Sequence, residues 1–213
     1  QAVFDRELLK LHARAMVTTA MAIPLLVMVL TVAGLIIGVG INMVVWALVT
    51  TTCYAGLAYI ARKVDRTELA DLKPENVRRA FLIGHFVTGL GWAYFAWLDC
   101  QECQVDQFVT LKAVMLLLVI AATAIIASGL NGALTATTVL PVGVLAAAVA
   151  LSPVLQPVDA IMAALLVIAL PFFGYVARHL QSSTVMLLSF RSEKDGLIAE
   201  LETAKAMSDE ARR

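Results

Sequence analysis

Apolar positions along this chain fall in long unbroken runs, without the alternation of a half-buried strand or the single stripe of a soluble amphipathic helix. Six runs come close to the roughly 20 residues that a helix needs to cross a hydrocarbon core of about 30 Å. They are residues 15–37, 41–61, 80–98, 108–127, 133–151 and 160–177. Turn chemistry separates several of them: Gly38-Val39-Gly40 after the first, Ser128-Gly129-Leu130-Asn131-Gly132 after the fourth, and Ser152-Pro153 with Gln156-Pro157 after the fifth. Lipid offers no hydrogen bonds to an open sheet edge, and a barrel would show short alternating segments, so the runs predict helices.

The predicted architecture is all-α and polytopic: a cytoplasmic N-terminal segment at 1–14, six transmembrane helices within 15–177, and a cytoplasmic linker at 178–213. Residues 4–12 read either as a short amphipathic surface helix, with Phe4, Leu8 and Leu11 on one face, or as an unstructured leader. The apolar run that follows is too long for a secretory signal and lacks its cleavage site.

The helical pattern does not stop at residue 178. Leu187, Phe190, Lys194, Leu197, Leu201, Ala204, Ser208 and Ala211 follow the 3,4 spacing of a coiled-coil seam. Lys194 and Ser208 weaken that seam, and Gly196 costs about 1 kcal/mol inside a helix. A marginal coiled coil extending the last helix is one reading; a solvated amphipathic helix is the other.

Composition then excludes whole classes. The chain of 213 residues is 61% apolar and 15% charged, against about 45–50% and 25% for soluble domains, and its mean hydropathy is +0.86. Residues 113–158 contain no ionisable side chain. Sixteen Lys and Arg against sixteen Asp and Glu leave no basic excess for a nucleic acid. The neutral sum conceals a segregation. With six crossings, Arg6, Lys10, Arg14, Arg62, Lys63, Arg66, Lys73, Arg78, Arg79 and every basic residue from Arg178 onward share one side, and the other side receives only Lys112. Basic residues are retained inside, so both termini are expected in the cytoplasm.

Candidate chemistry is sparse. Cys100 and Cys103 form a C-x-x-C in an outer loop beside Asp99, Glu102 and Asp106, which suits a disulfide, a metal or redox sensor, or free thiols without a role. His85 is the one histidine expected inside a span, and an intramembrane ionisable group invites a functional reading. Paired histidines can ligate haem, but His12 and His179 are expected outside the hydrocarbon, which favours a packing role for His85. Trp92, Tyr94 and Trp97 at the outer end of the third span suit an interfacial belt or, with His85, an apolar ligand pocket. Pro171 precedes the tail and is the hinge candidate. Gly34-x-x-x-Gly38, Gly84, Gly89 and Gly91 allow close helix contact. No acid or base sits centrally in a span, which argues against a transporter, a retinal protein or an intramembrane enzyme.

The run EKDGLIAELETAKAMSDEARR at 193–213 resembles the signalling helix that enters the dimerisation and phosphotransfer domain of bacterial sensor histidine kinases, particularly the PleC/DivJ/PdhS-like group of alphaproteobacteria. The motif spans about a tenth of the chain, and membrane diguanylate cyclases use similar linkers. The resemblance implies the sensory and signal-transmission module of a homodimeric kinase in the bacterial inner membrane. A response regulator or phosphotransfer protein would then be the partner of a following kinase domain. ATP and Mg belong to that domain; none of the family's catalytic residues, and no cofactor, is expected in this chain. The alternatives are the input region of a diguanylate cyclase and a small transporter or channel.

Overall fold

The computed structural model describes residues 2–99, 108–126, 129–152 and 156–211. The described residues are all-helical, in seven helices: α1 Ala2–Thr18, α2 Ala22–Ile37, α3 Ile41–Arg66, α4 Pro74–Trp97, α5 Phe108–Ile126, α6 Ala133–Ala150 and α7 Pro157–Ala211. Helices α3, α4, α5, α6 and the Pro157–Leu187 part of α7 are long and apolar enough to cross a membrane. The pair α1 and α2 passes as a sixth crossing only when taken together, bent by 41°.

That bend departs from the single helix expected over residues 15–37. Pro24 lies in the first turn of α2, where a missing N–H is harmless, but its ring is incompatible with a continuous helix through residue 20. Thr18 and Thr19 also turn their hydroxyls back onto the Ala15 carbonyl, at 2.9 and 2.7 Å, a contact that bends helices. At its other end α2 stops on Gly38, at φ 100°, whose N–H reaches the carbonyls of Gly34 and Leu35. Gly38 is therefore a left-handed cap and not half of a helix-packing ridge.

The N-terminal segment meets the first expectation for it in being helical and departs from it in the face that it buries. It is helical, but its inward face is Leu9, His12, Ala13 and Met16, all at most 5% exposed. Leu11 is exposed and Leu8 is half-buried. The helix belongs to the bundle, packing on α3 and α4. Three basic side chains fasten it to the end of α3 and the α3–α4 connection: Arg6 donates to the Leu69 and Ala70 carbonyls, Lys10 to that of Thr67, and Arg14 pairs with Asp65 at 3.5 Å. The exposed Arg14 pair adds little energy; Lys10 satisfies the carbonyl of the α3 C-cap residue Thr67, and Arg6 those of Leu69 and Ala70 in the connection beyond it.

Helix α4 is the centre of the bundle, packed chiefly against α6 and α3 and also touching α1 and α5. Small residues permit this. A Cβ on Gly89 would stand 2.6 Å from the Thr137 carbonyl oxygen on α6, and one on Gly91 would stand 2.7 Å from the Thr50 hydroxyl on α3. Trp46, completely buried, donates from Nε1 to the Gly91 carbonyl at 2.9 Å and packs with Trp92 and Phe95. The outer surface carries large apolar side chains such as Met21, Ile36, Leu48, Ile125, Ile161 and Ile168, each well exposed. Water would disfavour such a surface and lipid does not, in keeping with a multi-pass membrane protein.

Helix α7 is peripheral, resting on α5 and α6, with Ala163 and Leu166 as its buried anchors. It continues through Pro171 and far beyond residue 177, where the sixth span was expected to end, as one helix of 55 residues. At 1.5 Å per residue that is about 80 Å.

Candidate functional site

Within an apolar bundle, buried polar groups need hydrogen-bond partners, and those of α1, α4 and α6 find them in one another. His85 on α4 is 3% exposed and His12 on α1 is 1% exposed. Their Nε2 atoms lie 3.3 Å apart, and His85 Nδ1 lies 3.0 Å from Thr137 Oγ1. Phe81 closes over His12 edge-to-face, with centroids 4.9 Å apart.

The direction of the protons follows from the hydroxyl. Thr137 gives its hydrogen to the Ala133 carbonyl at 3.0 Å, so it accepts from His85 Nδ1–H. His85 Nε2 then carries a lone pair, and the His12 Nε2–H donates to it. This tautomer assignment leaves His12 Nδ1 bare of hydrogen, buried and without a hydrogen bond of good geometry, although the ring also interacts with the Ile126 backbone at the end of α5. A chain of donors thus links three helices.

Beside His85 lies a small cavity of about 30 Å³, lined by His85, Met16, Tyr54, Thr88, Trp92, Thr123 and Thr137 among others. It can hold a water molecule or an ion, and it is far too small for a porphyrin. His85 was expected inside a span and His12 outside the hydrocarbon; the two rings are buried against each other between α4 and α1. The spacing Leu9, His12, Ala13, Met16 is a helical stripe that pointed inward, but the charges interleaved with it masked the signal.

The aromatic candidates separate. Trp92 is buried between Trp46 and Phe95 and borders the cavity together with His85. Tyr94 is half-buried and Trp97 is 70% exposed; Trp97 lines a different crevice of about 460 Å³ at the far end of α4, with Lys112, Asp99, Gln156 and Asp159. Lys112 is 5% exposed and donates to the Ala96 and Leu98 carbonyls at 3.1 and 2.8 Å, with its ammonium 5.1 Å from the Phe108 ring centroid. It caps α4, where a cation complements the helix dipole. From the sequence Lys112 is only the one basic residue of the outer side, at the start of the fourth run.

Pro171 borders a crevice of about 510 Å³ between α6 and α7 with Gly174, Tyr175 and Arg178. Cys100 and Cys103 lie outside the described residues. Of the expected seam, Leu187, Phe190, Leu197 and Leu201 are between 55% and 71% exposed, and Lys194 and Ala204 are exposed as well; the side chains of Ser208 and Ala211 lie outside what is described. Among the described residues no group of three or more His, Cys, Asp and Glu side chains comes together. Compared with protein-family models, curated proteins and solved structures, the chain matches none.

Proposed function

We propose that the chain is the sensory and signal-transmission module of a two-component sensor histidine kinase of the bacterial inner membrane, with both termini in the cytoplasm. The observation that carries this reading is α7: one helix joins an apolar part, Pro157–Leu187, to a charged part that ends at Ala211. About 46 Å of it is apolar and about 36 Å extends beyond at 1.5 Å per residue, so a displacement at one end can be carried to the other along one continuous helix. It packs on α5 and α6 along its apolar part alone, so a change in that packing is passed to the charged part. The apolar side chains Leu187, Phe190, Leu197 and Leu201, exposed on a single chain, are those that a second copy would cover in a parallel coiled coil. Two registers of a weak seam differ by little energy, which suits a switch. The same architecture supports one alternative, the input region of a diguanylate cyclase.

The test uses the full-length protein with Cys53, Cys100 and Cys103 replaced by Ser. Single cysteines at Leu197 or at Leu201 are oxidised to link two copies. Autophosphorylation is expected to rise for one linkage and fall for the other. Unchanged autophosphorylation in fully crosslinked protein defeats the kinase reading, and a linkage-dependent change in cyclic dinucleotide production establishes the alternative.

A further inference from the structure

We propose that His12, His85 and Met16 form an internal binding site for one soft monovalent metal ion, with Cu(I) the biological member of that class. Two nitrogens at about 2.0–2.1 Å from a trigonal or tetrahedral metal lie about 3.3–3.5 Å from each other. The Nε2 atoms of His12 and His85 are 3.3 Å apart, so both can reach one ion with little movement.

His85 is already set as a ligand: its Nδ1–H is engaged by Thr137, which leaves the Nε2 lone pair pointing at His12. This is the outer-shell arrangement that fixes a ligating histidine. His12 becomes equivalent when its proton moves from Nε2 to Nδ1, the nitrogen that is buried without a hydrogen bond, toward the Ile126 backbone with which the ring interacts. The proton stays on the ring, so no acid is released and no redox partner is needed.

Met16 supplies the third donor. It follows His12 by four residues on the inward face of α1, is 2% exposed, and shares with His85 the wall of the ion-sized cavity. Two imidazoles and a thioether are all neutral. The Born cost of burying an ion grows with the square of its charge, so a neutral, buried ligand set disfavours a divalent ion, and the thioether selects a soft one. The site stands on this geometry alone and is independent of whether a kinase follows α7.

The test is anaerobic titration of the purified chain in lipid nanodiscs with Cu(I), against a chromogenic chelator. One Cu(I) per chain is expected, with X-ray absorption showing imidazole nitrogens and one sulfur. His12→Gln and His85→Gln should each weaken binding by more than the about 10- to 100-fold expected for the outer-shell change Thr137→Val. Met16→Leu, which keeps volume and fold, should remove the sulfur scatterer while retaining the nitrogens; this variant decides the matter if a histidine variant fails to fold. The proposal is overturned if the folded wild type takes up no Cu(I), if both histidine variants bind as the wild type does, or if Zn(II) binds as tightly and without dependence on Met16.

Discussion

Gly89 on α4 faces the backbone of Thr137 on α6 so closely that a methyl group at Gly89 would meet the Thr137 carbonyl oxygen at 2.6 Å. The same approach brings the Thr137 hydroxyl within 3.0 Å of His85, one turn earlier on α4. Helix spacing and the buried polar chain are therefore set by one small residue. Gly89→Ala is expected to destabilise the bundle by about 1–3 kcal/mol through overpacking against backbone that cannot yield. Gly56→Ala, on α3 with nothing within 4 Å of the added carbon, should be neutral or stabilise by up to about 1 kcal/mol. Reversible unfolding in mixed micelles measures both, and equal effects would contradict the packing argument.

Trp46 is held by its indole N–H to Gly91. Trp46→Phe keeps an aromatic ring beside Trp92 and Phe95 and removes the hydrogen bond, for an expected loss of about 0.5–1.5 kcal/mol. Trp46→Ala leaves a large cavity at a fully buried position and should cost about 3–5 kcal/mol. The same unfolding assay ranks the two, and a Phe variant as damaging as the Ala variant would refute the division between bond and packing.

The two histidines should be energetically coupled. Replacing His85 by Leu leaves the His12 N–H buried without its acceptor, at a cost of about 1–3 kcal/mol. Replacing both by Leu removes donor and acceptor together. A double-mutant cycle in the absence of metal should therefore show a coupling energy of about 0.5–3 kcal/mol, and strict additivity would show that the 3.3 Å contact carries no energy.

Lys112→Met retains the apolar stem of Lys112 and removes the ammonium that donates to the Ala96 and Leu98 carbonyls. Charge-assisted hydrogen bonds of this kind contribute about 1.5–3 kcal/mol. Hydrogen exchange should accelerate at the C-terminal turn of α4 and leave its Pro74 end unchanged; uniform acceleration along α4 would point to global destabilisation instead.

Gly196 lies in the charged half of α7 with open space around it. Gly196→Ala should stiffen the helix by about 0.5–1 kcal/mol. Circular dichroism of the tail region on heating provides the measure, and an unchanged melting profile would show that residue 196 does not limit its helicity.

Hydrophobic run length by itself determined the helical class and the approximate position of five of the six apolar spans, and the 3,4 spacing beyond residue 178 gave the continuation of the last helix, because solvent quality acts on each residue independently of its neighbours in space. It did not show that α1 joins the bundle: Arg6, Lys10 and Arg14 reach the end of α3 and the α3–α4 connection while Leu9, His12, Ala13 and Met16 face inward. It also could not divide Trp92 from Trp97, five residues apart on one helix, into a core residue and an exposed one. Tertiary structure alone decided the pairing of His12 with His85, the capping of α4 by Lys112 and the role of Gly89. Each of these joins residues far apart along the chain or depends on how closely two helices approach, and such distances are fixed by packing, which hydropathy does not encode.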